Sequence, residues 1–137
     1  MTGLPIGYGG ALVVRTDFSS PGSWALLCEA LTTPNDQGFL PVVHLVGDPR
    51  LAGATCDEVR SLLPERYTHP LLVLADGPAL ASSEQPLVVV DLRERPGRFI
   101  RVVAARLWSI ENNLSISNMD FDDFAGNVDA DGVFRGF

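Results

Sequence analysis

Asp17 and Asp76 each close an apolar run, LVVRTD and LLVLAD, at the point where the chain turns away. If those runs are strands of an open α/β sheet, both carboxylates lie outside the carboxyl ends of strands. Ligand crevices form there, and an acid or base is useful. His44, between Val43 and Leu45, is the third candidate for proton transfer, because an imidazole changes charge near neutral pH. Each has a plainer use. Aspartate favours turns and helix starts because it satisfies nearby backbone N–H groups, and a histidine inside a strand is commonly a satisfied structural side chain.

Cysteine and histidine supply little more. Cys28, His44, Cys56 and His69 contain no close pair of the CxxC or HxxxH kind, so no metal is expected. Cys56 falls at the first position of a capped helix, where unpaired N–H groups favour a thiolate, but Asp57 and Glu58 beside it oppose that effect. Asn127, Asp129, Asp131 and Gly132 match positions 1, 3, 5 and 6 of a calcium-binding EF-hand loop. The glutamate that such a loop needs at position 12 is missing, and a solvated turn is expected instead.

All ten basic residues are arginine. Without lysine there is no P-loop, no kinase strand lysine and no Schiff base, and no GxSxG marks a serine hydrolase. No cofactor is expected. A net charge of −7 argues against a nucleic-acid partner. From Glu111 to Phe137 six acidic residues face one arginine, so this stretch alone carries −5. Asp120, Asp122 and Asp123 within it are candidates for partner binding. Trp108, Glu111, Asn112 and Asn113 form a polar and aromatic group able to hydrogen-bond a ligand or partner, since adjacent asparagines are costly inside a helix. Arg93, Arg95, Arg98, Arg101 and Arg106 gather around a hairpin, where they can pair with the acidic end or steer a charged partner.

The elements that must position these residues follow from pattern. Ala11–Phe18 and Phe39–Val46 read as strands, as do Pro70–Ala75, Leu87–Leu92 and Phe99–Val103. Ser19, Ser20 and Pro21 start a helix whose inner face is Trp24, Leu27, Cys28 and Leu31. Thr55 and Glu58 form a capping box for a second. Pro96 and Gly97 suit a type II turn that returns the fifth strand antiparallel. Ala105–Ser115 is helical, and a last helix carries Phe121, Phe124, Ala125 and Val128 on one face. The expectation is one α/β (α+β) domain over 11–137 after a flexible, glycine-rich lead over 1–10. Its mixed sheet has four to five strands, with the hairpin in the carboxyl-terminal half and helices packed on it.

The runs LWSIENNLSISNMDFDDF (107–124), DGVFRGF (131–137) and LVVRTDFS (12–19) resemble a family of small, uncharacterised actinobacterial proteins defined only as a domain of unknown function. The resemblance implies a free-standing bacterial domain and transfers no catalytic residue. The apolar runs are broken well short of the ~20 residues a membrane span needs, and the amino-terminal stretch lacks the features of a secretory signal, so a cytoplasmic, soluble protein is expected. With no complete catalytic set, the leading expectation is a non-enzymatic acidic interaction module that binds another protein, of a regulatory or toxin-neutralising kind. The competing expectation is a small-molecule binder or enzyme whose pocket gathers Asp17, Asp76, His44, Asn112 and Asn113. The oligomeric state is left open.

Overall fold

In the computed structural model, which describes Leu4 and residues 9–137, the elements follow in the order β1 (Ala11–Arg15), α1 (Pro21–Thr32), β2 (Val43–Val46), α2 (Cys56–Ser61), β3 (Leu71–Ala75), α3 (Gly77–Ala81), β4 (Pro86–Asp91), β5 (Phe99–Val103), α4 (Leu107–Ser115), α5 (Phe121–Ala125) and β6 (Val133–Phe134). Single 3-10 turns at Pro49–Leu51 and Ala104–Arg106 complete them. All the strands lie in one mixed sheet ordered β2-β1-β3-β4-β5-β6. β1 pairs in parallel with β2 and β3, β4 runs antiparallel to β3 and β5, and β6 is parallel to β5.

The sheet has six strands, not four or five. β6 is two residues long, too short for periodicity to reveal. The first two strands are also shorter than expected, ending at Arg15 and beginning at Val43, the latter just after Pro41, which has no N–H to donate to a ladder. α3 replaces an expected turn. Asp76 caps it by accepting a hydrogen bond from Ala79 N at 3.2 Å, and Pro78 sits in its first turn, so the Asp-Gly-Pro sequence that reads as a turn is equally a helix start. The last helix stops at Ala125, short of Val128. Most of the expected lead over 1–10 lies outside the described residues. Leu4 is buried, and its N–H donates to Leu62 O at 3.2 Å.

Every residue of β1 and β3 is buried because helices or turns cover both faces of these central strands, which explains their unbroken apolar runs. Ala11, Val13, Leu71 and Val73 face one core with Leu27 and Leu31 of α1, Leu107 and Ile110 of α4, and Phe121 and Phe124 of α5. Leu12, Val14, Leu72 and Leu74 face the other with Leu4, Leu51 and Val59. Each such side chain contributes roughly 1.5–3 kcal/mol when fully buried. Local signals fix the helix starts. Ser20 Oγ accepts from Ser23 N at 3.2 Å, and in the capping box Thr55 N donates to Glu58 Oε1 at 3.1 Å while Glu58 N donates to Thr55 Oγ1 at 3.2 Å.

Asp91 organises the β4–β5 hairpin. Its carboxylate, with the residue 2% exposed, accepts hydrogen bonds from the backbone N–H groups of Arg93, Glu94 and Arg95 and from Arg98 Nε, at 2.9–3.1 Å. The expected turn closes beyond it. Arg98 N donates to Arg95 O at 3.1 Å, and Gly97 takes φ +101°, a conformation that favours glycine. Burial by itself raises the Asp91 pKa, but these donors together outweigh it and hold the group below its ordinary value. Its ionised form therefore contributes stability above the ordinary aspartate pKa that is lost as pH falls through the depressed native value. Asp91→Ala is expected to cost about 3 kcal/mol in urea unfolding at neutral pH. It should also show a smaller stability loss on acidification than the parent, and equal losses in the two proteins would show that Asp91 carries no such linkage.

Candidate functional site

Asp17 and Asp76 come together at the carboxyl ends of β1 and β3, as the sequence suggested, but Asp76 is fully employed there. Besides capping α3, it receives a two-point bond from Arg101 at 3.0 and 2.8 Å, and the same guanidinium donates to Pro86 O at 2.8 Å. Asp17 Oδ1 accepts from Ser19 N at 2.8 Å, and hydrogen bonding from Ser19 lowers its pKa. Its Oδ2 lies beside Gly77, where an added Cβ would come within 3.0 Å. The Asp76 carboxylate is thus taken up by Ala79 N and Arg101, and that of Asp17 by Ser19 N. His44 sits half-buried on the edge strand β2, in register with Leu12 and toward the α2 side of the sheet.

A different polar centre forms at the amino-terminal ends of the parallel strands. Glu111, 1% exposed, enters from α4; Oε2 lies 3.0 Å from His69 Nε2, and Oε1 accepts from Val42 N at 2.7 Å and Asn112 Nδ2 at 3.3 Å. His69 Nδ1 accepts from Leu71 N at 3.1 Å. That bond assigns the ring its neutral tautomer, with the proton on Nε2 pointing at the carboxylate. Tyr67 bridges β1 and β3 beside it, accepting from Leu12 N at 2.9 Å and donating to Leu71 O at 2.6 Å. Both histidine nitrogens and both carboxylate oxygens are engaged, so this pair braces the fold. His69 reads as a loop residue in the sequence; its partner lies 42 positions away, and no local signal joins them.

The neighbouring asparagines work within α4 and its surroundings. Asn112 Nδ2 donates to Trp108 O at 2.7 Å and Leu40 O at 3.4 Å, Asn113 Nδ2 to Ser109 O at 2.8 Å, and Asn118 Nδ2 to Asn113 Oδ1 at 2.8 Å. Trp108 stacks on Phe39 with centroids 4.6 Å apart and planes 9° from parallel. Its indole Nε1 is buried without a hydrogen-bond partner, beside a groove of about 420 Å³. Asp17 and Asp76 lie at one end of the strands and the asparagines near the other, about 15 Å apart for five-residue strands.

The acidic end is internally matched. Asp122 binds Arg98 at 2.7 Å, and Asp123 Oδ2 accepts from Asp120 N at 2.9 Å at the start of α5. In the EF-hand-like turn the cation is the chain's own. Asp129, Asp131 and Glu84 surround the Arg135 guanidinium at 2.8 Å each, and among the described residues no group of three or more ligating side chains is arranged to hold a metal ion. Cys28 and Cys56 are both pushed up in pKa, first by burial and for Cys56 also by Asp57, which disfavours the thiolate. Unspent donors also line an open cleft of about 880 Å³ between α2 and the β4–β5 hairpin, whose walls include Arg60, Tyr67, Thr68, Leu92 and Arg93.

Among the described residues no helix is long and apolar enough to cross a membrane. The family described as "Domain of unknown function (DUF6924)" matches residues 10–137. No curated protein matches the chain.

The Tyr67 phenol is pushed up to about 12, first by burial. An unfolded tyrosine ionises near pH ~10 while the folded one stays neutral, so stability present below that pH is lost as pH rises through the native value, by up to roughly 2.7 kcal/mol. Tyr67→Phe should lose about 1–3 kcal/mol at neutral pH, from the orphaned Leu12 N–H and Leu71 C=O, yet fall less steeply above pH ~10. Melting temperatures of both proteins from neutral to alkaline pH test this, and parallel curves would refute it.

Proposed function

Because the chain belongs to the DUF6924 family, whose description assigns no activity, we propose its function from its surfaces: it is a non-enzymatic module that binds another protein. The supporting observation is the outer edge of β2. Among the described residues this strand ends the sheet, and Phe39, Leu40 and Val42 just before it are 47, 39 and 53% exposed. From Gly38 to Val46 there is no acidic residue and no arginine. Free strand edges are normally blunted by charge, proline or shortness. Pro41 is one such device, but it precedes the paired residues, and β2 itself is four residues long. The opposite edge, by contrast, is the two-residue β6.

The occupant that fits is an extended segment of a partner protein. It adds its backbone to β2 and sets apolar side chains against Phe39, Leu40 and Val42. Regulation or neutralisation of that partner is the role in keeping with such a surface. A cytoplasmic location and an actinobacterial source complete the reading, the latter in keeping with an arginine-only basic set. A small-molecule reading draws support from one feature, the unpartnered Trp108 indole N–H beside its groove.

Native mass spectrometry of the tagged protein, recovered gently from a bacterial lysate, tests the proposal together with a Leu40→Lys/Val42→Lys variant. The expected result is a discrete protein-sized added mass on the parent and a bare monomer for the variant, at unchanged circular dichroism. Equal recovery of the partner by both proteins would overturn the edge as its site, and an added mass of a few hundred daltons would favour the small-molecule reading.

A further inference from the structure

Acidic side chains outnumber arginines by 17 to 10, and several guanidinium groups are absorbed by them. Arg98 reaches Asp91, Glu94 and Asp122; Arg101 makes its two-point bond to Asp76; and Arg135 holds Glu84, Asp129 and Asp131. Arg60 and Arg93 differ. Each places a single N–H on a protein acceptor, Arg60 on Asp57 at 3.3 Å and Arg93 on Thr68 O at 2.7 Å. The Asp57 side chain is itself 90% exposed, so that contact is weak. An arginine carries five N–H donors, so each of these retains most of its capacity.

Both arginines line the same cleft between α2 and the hairpin. Arg60 is only 31% exposed, and the room for it comes from Gly97: a Cβ there would meet Arg60 Nη1 at 2.6 Å. The turn glycine thus also seats a cation. Arg93 is tied to the Thr68 wall by its carbonyl bond. Leu63, Tyr67 and Leu92 of the same lining add apolar contact, and Asp57 is its one acid. His69 reaches the cleft as well, but its nitrogens are committed to Glu111 and Leu71, so recognition falls to the guanidinium groups. The cleft is an open trough, not an enclosed chamber of the kind that buries most of a small ligand.

We propose that this cleft binds an acidic peptide segment, with a carboxylate side chain on each of Arg60 and Arg93 and an apolar side chain against Leu63 and Leu92. Charge-assisted bonds from arginine forks to carboxylates are the strong kind, and a positive site in a protein of net charge −7 selects for a carboxylate held at close range. The inference does not rest on the β2 edge, which lies at the far side of the sheet order from the hairpin strands.

Fluorescence anisotropy with a labelled peptide of alternating Glu and Leu, against its Gln-Leu counterpart, tests it. The acidic peptide should bind about tenfold or more tightly than the neutral one, and the preference should shrink as salt rises from ~50 to ~500 mM. Arg60→Gln/Arg93→Gln should bring both peptides to the same affinity. Since Arg60 also packs on the hairpin turn, Arg93→Gln alone, at an exposed position, keeps the test valid should the double variant unfold. Equal binding of the two peptides by the parent would overturn the proposal. So would undiminished binding by the variants, or competition by inorganic phosphate or a single-stranded oligonucleotide at lower concentration than the peptide.

Discussion

The buried carboxylate of Glu111 sets the terms for one whole end of the molecule. A carboxyl group 1% exposed is cut off from water, and only directed donors offset that loss. Val42 N–H, His69 Nε2–H and the Asn112 amide supply them, each from a different segment. The consequence runs outward. His69 must keep its proton on Nε2, so Nδ1 is free to receive Leu71 N–H and fix the start of β3. Val42, held by the carboxylate, delivers the chain into β2, and its own carbonyl accepts from Ala11 N at 3.0 Å to open β1. One side chain of α4 thereby aligns the starts of three parallel strands. It does so at a place where an isolated helix and sheet would share only apolar contact.

What local chemistry controls was legible in the chain: the Ser20 cap, the Thr55–Glu58 box, the Pro-Gly hairpin turn and the apolar faces of α1 and α4 all form where their residues predict them. What depends on distant partners was not. Asp91 stands in the sequence only as an acid within the fourth apolar run, and only the folded hairpin reveals that its four donors come from its own turn. His69 precedes a proline and looks idle until α4 arrives 42 residues later. The asparagine pair signals an unusual helix correctly, yet their hydrogen bonds to carbonyls one turn back and to Leu40 could not be told from ligand contacts by type alone. Arg60 and Arg93 lie in separate segments, and neither segment shows that a cleft joins them.

The absence of lysine has a structural as well as a chemical meaning. A guanidinium can hold several carboxylates at once in fixed directions, which a point-like ammonium does less well. Arg98 and Arg135 each gather three acids, and in doing so they fasten α5 to the hairpin and the final turn to the loop before β4. The acidic carboxyl-terminal stretch is therefore spent largely on cross-links within the chain. Apart from the buried Arg98–Asp91 bond, these pairs are exposed, individually weak and screened by salt. Their worth lies in being shared about a common centre.

The two margins of the sheet are unequal, and under the proposed docking at β2 that inequality fixes a valence. β6 stops after two residues, while β2 offers four with an uncharged approach. A sheet that can be extended at both margins propagates without limit into a ribbon. One that can be extended at a single margin accepts one neighbour and is then complete, so growth ends at a pair. In a chain whose central strands are as apolar as an aggregating segment, this asymmetry works as a terminator.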